Sequence, residues 1–431
     1  MRQTMMSWCW GMGLILVMGT GCGRIEGACV PGATQRCACL DGKPGVQSCD
    51  AQGMGWSVCG CAVSEPANAQ TPANPNPNPP TSSGSNPSPG TGGNPNPSPG
   101  SSGGGEPVGG GDVIPDPGSE PRYPIIVYWG QNGFGGANPG DPSKWEKPLG
   151  QVCTENPQIN TVVMGFVISF ISGRNADGYP ELNFANHCET PYDTRNPFLL
   201  KCPEIGEGIK TCHRLGKRVL LALGGGVGGY GFTSDAQAEQ FAGTVWDMFL
   251  GGSGTVRPFG DAVADGVDLD IEGGSWIGYG KFAKKLREHM SKGNKKYLIT
   301  AAPQCPFPDV YVGPGQGKAL GDAPEAFDYV LVQFYNNYCS YSGGSSFDSA
   351  FAQWSTLHKD GKGPRVSVGL PSAPKAAPAG GYVETTSLPS LILKTKSNPS
   401  FGGVMLWDAS FDANNLTSGK TYSQTLRTLL D

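Results

Sequence analysis

The sequence predicts a (β/α)8 barrel over residues 123–431, set behind a small Cys-rich module and a tether that does not fold. Eight short apolar, β-rich runs recur in this region: Pro124–Trp129, Thr161–Phe170, Arg218–Leu223, Gly266–Ile271, Tyr297–Ala302, Tyr329–Tyr335, Arg365–Leu370 and Gly402–Trp407. Several are almost continuously hydrophobic, as parallel strands covered on both faces must be. Helical patterns fall between some of them. A doubly wound sheet is the alternative, but no GxGxxG follows the first or second strand. Eight strands with crossovers suit a barrel.

Two intervening segments show the helical period. In Tyr279–Met290, Phe282, Ala283, Leu286 and Met290 share a face, while Lys284, Lys285, Arg287 and Glu288 point outward. In Ala236–Leu250, Phe241, Val245 and Phe249 recur at four-residue spacing.

The region ahead of the barrel is of another kind. Gly (67) and Pro (38) make up near a quarter of the 431 residues, a share that signals low complexity somewhere in the chain. It concentrates in the linker, residues 66–122. There Pro66–Glu120 holds 14 Pro, 12 Gly and no Lys or Arg, so it has almost nothing apolar to bury. Runs such as Asn74–Pro79 favour polyproline II, and Ser101–Gly105 is flexible. Residues 23–65 carry Cys29, Cys37, Cys39, Cys49, Cys59 and Cys61, with Trp56 near the end. So short a segment needs disulfides to hold it, and six cysteines allow fifteen pairings. It reads either as a surface-attachment or sugar-binding module, with Trp56 as platform, or as a passive spacer.

Arg2 and the short apolar stretch around Leu14–Met18 read as an export signal, residues 1–22, too short to span a bilayer. It ends at Gly19-Thr20-Gly21-Cys22, which resembles the lipobox of bacterial lipoproteins, in which Cys22 would be acylated. Fourteen cysteines also point to an oxidising compartment. The protein is expected to be secreted, extracellular or held at the outer surface by lipid. With 31 Lys+Arg against 36 Asp+Glu, its net charge of −5 argues against a nucleic-acid partner.

The chemistry concentrates in Asp265-Gly266-Val267-Asp268-Leu269-Asp270-Ile271-Glu272-Gly273-Gly274. Strand alternation puts Asp268, Asp270 and Glu272 on one face and three apolar residues on the other. Carboxylates so close raise one another's pKa. A divalent metal site would call for His or further carboxylates at neighbouring strand ends, and none stands there. Acid catalysis remains, with Glu272 nearest the C-terminal rim where barrel sites lie. The four histidines, His187, His213, His289 and His358, all fall outside the strand runs.

Asp265–Glu272 resembles the DGxDxDxE motif of the family 18 glycoside hydrolases, the chitinases. Other segments resemble the plant-type class III, hevamine-like branch: Tyr128–Gly133 (YWGQNG), Ala301–Asp309 (AAPQCPFPD), Phe327–Asn337 (FDYVLVQFYNN), Gly369–Pro374 (GLPSAP) and Gly402–Trp407 (GGVMLW). The likeness covers residues 123–431. It implies a monomeric endochitinase that cleaves β-1,4 links in chitin or chito-oligosaccharides with retention, the substrate's own N-acetyl group serving as nucleophile. No metal or cofactor is implied.

By that resemblance Glu272 is the proton donor and later the base for water. Asp270 orients the acetamido N–H, Asp268 shares a proton with Asp270, and Tyr335 bonds the acetamido oxygen. Trp407 floors the distorted sugar, with a cis peptide expected at Trp407–Asp408. Tyr128, Gln131, Asn183, Gln304, Gln333 and Asn336 line the cleft. The branch's disulfides map onto Cys153–Cys212, Cys188–Cys202 and Cys305–Cys339. Ala222 stands where the family usually has Ser, so one hydrogen bond near the aspartates is expected to be lost. Phe134–Gln151 is longer than usual, and Gly273 and Ser372 also differ. The rival readings are a lysozyme-like hydrolase of peptidoglycan, an endoglycosidase acting on glycoprotein glycans, a chitin-binding lectin or inhibitor without turnover, and a surface adhesin.

Overall fold

The computed structural model describes residues 121–431 other than 228, 342 and 343, together with the backbone of a hairpin in which Thr34–Ala38 pairs antiparallel with Pro44–Ser48. The segment expected as a signal, with Cys22, the rest of the expected Cys-rich module and Pro66–Glu120 lie outside the described residues.

In the C-terminal unit eight parallel strands close on themselves. They are β1 Ile125–Trp129, β2 Thr161–Ser169, β3 Arg218–Gly225, β4 Gly266–Ile271, β5 Leu298–Ala301, β6 Tyr329–Gln333, β7 Arg365–Pro371 and β8 Phe401–Trp407. Each pairs with its neighbour in sequence, and β8 returns to β1 with Val404 opposite Ile125. A short strand, Glu181–Leu182, adds antiparallel to the end of β2.

Alternation along the strands sorts side chains between two apolar layers. Ile125, Val127 and Trp129 of β1 pack outward against the helices, as do Val267, Leu269 and Ile271 of β4. Ile126 and Tyr128 face the barrel interior with Val163, Phe166, Leu220, Ala222, Leu331 and Met405. Seven longer helices cover the outside: α1 Leu149–Glu155, α2 Pro203–Arg214, α3 Asp235–Phe249, α4 Tyr279–Met290, α5 Ser345–Ser355, α6 Leu388–Lys396 and α7 Tyr422–Leu430. The residues expected on the inner face of α4, Phe282, Ala283, Leu286 and Met290, are all buried. The Ser234 side chain caps α3 by accepting from the Gln237 amide.

Two strand ends differ from expectation by two residues, and both shape the site. β3 runs past Leu223 through Gly224 and Gly225, at φ of 112° and 92°. A Cβ on Gly224 would lie 2.1 Å from the Asp270 carbonyl oxygen, so glycine lets β3 close on β4 there. β6 stops at Gln333, two residues before Tyr335. The Phe334 amide still donates to the Gly369 carbonyl at 3.0 Å, and Asn336 then turns the chain at φ 55°. The sixth strand therefore delivers Gln333 at its end and Tyr335 just above it.

Among the described residues three disulfides tie the barrel's periphery: Cys153–Cys212 joins α1 to α2, Cys188–Cys202 closes a loop after β2, and Cys305–Cys339 links the loops after β5 and β6. The opposite end of the barrel is anchored by Asp265, just before β4. His213 Nε2 lies 2.8 Å and Lys295 Nζ 2.7 Å from its carboxylate, which also accepts from the Val219 amide at 2.7 Å.

Candidate active site

Strand β4 carries the site because its period of two aims Asp268 and Asp270 into the barrel, with Glu272 one step beyond the strand at its C-terminal mouth. Each carboxylate meets partners from other strands. Asp268, fully buried, accepts from the Tyr128 hydroxyl of β1 at 2.7 Å and the Thr300 hydroxyl of β5 at 2.5 Å. Gln333 Nε2 from β6 donates to Asp270 Oδ1 at 3.0 Å and to the Ala302 carbonyl at 3.0 Å, with Glu272 Oε1 at the edge of reach, 3.5 Å away. The Glu272 amide donates to the Tyr230 hydroxyl at 2.9 Å, and that hydroxyl donates to the Gly225 carbonyl at 2.6 Å. Tyr230 thus straps the end of β4 to the end of β3.

Burial in this apolar funnel raises all three acids. Asp268 is pushed up to about 6 by burial, against the lowering effect of the bonds from Thr300 and Tyr128. Asp270 stands well above the ordinary carboxylate range, through burial first and then the charges of Glu272 and Asp268. Glu272 is raised by burial, while hydrogen bonding to Gln333, Asp270 and Gln304 pulls it down. Asp270 and Glu272 bear directly on one another's protonation: the Glu272 charge raises Asp270, and hydrogen bonding with Asp270 lowers Glu272. Tyr335, buried beside this pair, has its hydroxyl pKa driven well up by burial and by Asp270 and Glu272. It stays protonated and able to donate.

The other expected residues are distributed as follows. The Trp407 ring, at the end of β8, lies 5.4 Å from the Tyr128 ring and 6.1 Å from Phe166, nearly parallel to the latter. The Trp407–Asp408 peptide is cis, and so is Gly165–Phe166. Gln131 turns its amide to the carbonyls of Gly165, Asn183 and Gly130. Asn183 Oδ1 accepts from the Ala185 amide. Gln304 Oε1 accepts from Asn337 Nδ2 at 2.9 Å, whereas the neighbouring Asn336 is exposed and accepts from the Ala379 amide. Ala222 pairs with Asp268 across β3 and β4 and offers it no hydroxyl; Thr300 and Tyr128 supply the bonds instead.

Sequence reasoning missed several contributors. Thr300 is central to β5, and only its register opposite Asp268 marks it. Tyr230 comes from a glycine-rich loop with no pattern of its own. Asp309, in the run Ala301–Asp309, accepts from the amides of Tyr311 and Val312, and its charge helps raise Asp270 and Glu272. Next to Trp407, Asp408 accepts from the Ser410 hydroxyl and the Gly133 amide, while Glu146 accepts from the amides of Gly130 and Asn132. Burial and the Glu146 charge lift Asp408 to about 7. Its place directly after Trp407 was the available signal.

The model of the glycosyl hydrolases family 18 matches residues 124–375. Chitinase 2 of Rhizopus oligosporus is 44% identical over 292 residues, which cover 68% of this chain and 50% of that protein. The chain spans about half the length of the first curated relatives it matches. Among solved structures, the ICChI chitinase from Ipomoea carnea aligns with a TM-score of 0.57 at 33% identity, covering 71% of this chain and 99% of that one. The xylanase and alpha-amylase inhibitor protein XAIP-II from Scadoxus multiflorus aligns at 0.56 and 30% identity, covering 70% and 97%. A barrel of this topology, a DGxDxDxE strand with its three acids turned inward and a family match across most of the barrel converge: the chain belongs to family 18 of the glycosyl hydrolases.

Proposed function

We propose that the protein is an endochitinase that hydrolyses β-1,4 links between N-acetylglucosamine units with retention of configuration. The observation that carries this is the Asp270–Glu272 pair at the barrel mouth, both acids raised by burial, with Gln333 bonded to Asp270. Glu272, the outermost acid, protonates the leaving oxygen. The acetamido group of the sugar then attacks its own anomeric carbon; Asp270 accepts from the acetamido N–H, and the Tyr335 hydroxyl donates to the acetamido oxygen. Glu272, now ionised, takes a proton from water as the intermediate opens. Trp407 forms the floor against which the distorted sugar rests. Gln131, Asn183, Gln304 and Asn336 line the cleft on either side.

The placement in the plant-type class III branch rests on the segments quoted above and on the alignment with nearly the whole Ipomoea carnea chain. Export fits the three disulfides, which persist in oxidising compartments. In this reading residues 1–22 direct secretion, Cys22 carries the lipid anchor, and 66–122 tether a monomeric barrel to it.

The test is turnover of chitohexaose by the full chain and by Glu272→Gln, with purified peptidoglycan in parallel. Cleavage abolished in the variant supports the reading. Intact hexamer with lysed peptidoglycan would replace it with the lysozyme-like one. The match to an inhibitor protein gives a second reading, binding without turnover, which inactivity on both substrates would favour.

A further inference from the structure

Glu272 is followed by a loop whose tip carries an exposed indole. Trp276 is 50% exposed and its neighbour Ile277 is 42% exposed, although α4 begins only two residues later with Tyr279 fully buried. The loop holds this pose through close packing. The Ile277 amide donates to Ser275 Oγ at 3.0 Å, and Gly278, at φ 81°, lies so near α3 that a Cβ would sit 2.7 Å from that of Ala238. Gly274 likewise presses on the Tyr230 carbonyl, 2.5 Å from where its Cβ would be. The indole is therefore presented by the same strapped segment that positions the catalytic glutamate.

Beside it runs a groove of about 230 Å³, lined by Trp276, Ile277, Asp235, Lys281, Lys284 and Asp322, with glycines between them. An aromatic face flanked by carboxylates and ammonium groups matches a pyranose, which offers a ring of C–H bonds on one face and hydroxyls around its edge. Asp235 stands in the first turn of α3 and Asp322 at the end of the helix Ala319–Asp322, so the polar groups come from elements fixed independently of the loop.

We propose that this groove is a second carbohydrate-binding site, outside the catalytic cleft, which takes one N-acetylhexosamine unit of the polymer on Trp276. It rests on the chitinase reading for the identity of that polymer. Trp276 stands four residues beyond Glu272 on the same loop; in this proposal a long chain held in the cleft is held again here, whereas a short oligomer that fills the cleft is not.

The test compares the full chain with Trp276→Ala and Trp276→Phe on chitotetraose and on colloidal chitin. Sedimentation binding to chitin is measured in a Glu272→Gln background. Trp276→Ala is expected to leave chitotetraose turnover unchanged, with chitin binding weakened and chitin hydrolysis slowed by roughly three- to tenfold, and Trp276→Phe to retain most of both. Unchanged chitin binding and hydrolysis in Trp276→Ala would overturn the site. So would an equal loss on the tetramer, because the indole would then act within the cleft. Failure of the parent protein on chitotetraose would instead count against the chitinase reading, while the binding comparison still reports on Trp276.

Discussion

Gln333 donates through Nε2 to Asp270 Oδ1 at 3.0 Å, from a position 63 residues further along the chain. The same amide also bonds the Ala302 carbonyl and reaches toward Glu272, so one side chain sets the spacing of the acid pair against the backbone of the next strand. Replacing it by Leu removes a bond to an ionisable group and a brake on the Glu272 pKa. We expect Gln333→Leu to lower kcat by about tenfold or more. The alkaline limb of the pH–rate profile should move upward, since Glu272 then keeps its proton to higher pH. A profile that keeps its shape would mean that Gln333 acts on binding alone.

Asp268 offers a second lever. Tyr128 and Thr300 both donate to it and so hold its pKa down against burial. In Tyr128→Phe or Thr300→Val the Asp268 pKa should rise above its value of about 6. Titration of the carboxyl carbons by NMR would check it, and kcat near neutrality should fall in parallel.

At the far end of the barrel, Asp265 is buried with Lys295 and His213 against it. Burial works to raise its pKa, but the His213 hydrogen bond and the Lys295 charge win and leave it lowered. Asp265→Ala strands a buried ammonium, which costs about 3–5 kcal/mol by the usual reckoning for a broken buried pair. A fall in the urea midpoint at unchanged slope is the expected result. Because the folded pKa is depressed, the stability from Asp265 is present above the unfolded value and is lost as pH falls through the folded one.

The acids in and near the site work in the opposite direction. Asp268 is raised to about 6 and Asp408 to about 7, chiefly by burial. Their contribution to stability is full below the unfolded carboxylate range and is lost as pH climbs through 6 and 7. Thermal unfolding followed at pH 5 and pH 8 should show the higher midpoint at pH 5, by several degrees. An equal or higher midpoint at pH 8 would contradict the burial argument.

Trp407 is half-buried between Tyr128 and Phe166, as the floor of a sugar site would be. Trp407→Ala is expected to raise KM for chito-oligosaccharides and lower kcat, with a combined loss in kcat/KM of about a hundredfold. An effect confined to stability would assign the ring to packing alone.

Much of the barrel and its acid strand is legible in local pattern. The eight apolar runs locate the strands to within a few residues, and the period of two suffices to put Asp268, Asp270 and Glu272 on one face. The inner face of α4 is equally plain. Periodicity is a property of neighbouring residues, so a sequence carries it directly. What only the closed barrel decided is which distant groups those acids meet. Thr300 instead of a β3 hydroxyl reaches Asp268, Gln333 sits between two carboxylates, Tyr230 straps two strand ends, and Glu146 lies near Asp408. The contact of Tyr128 with Asp268 spans 140 residues, and no local rule ties such positions together. It follows from strand order and register, which are settled when the sheet closes and every strand finds its neighbours.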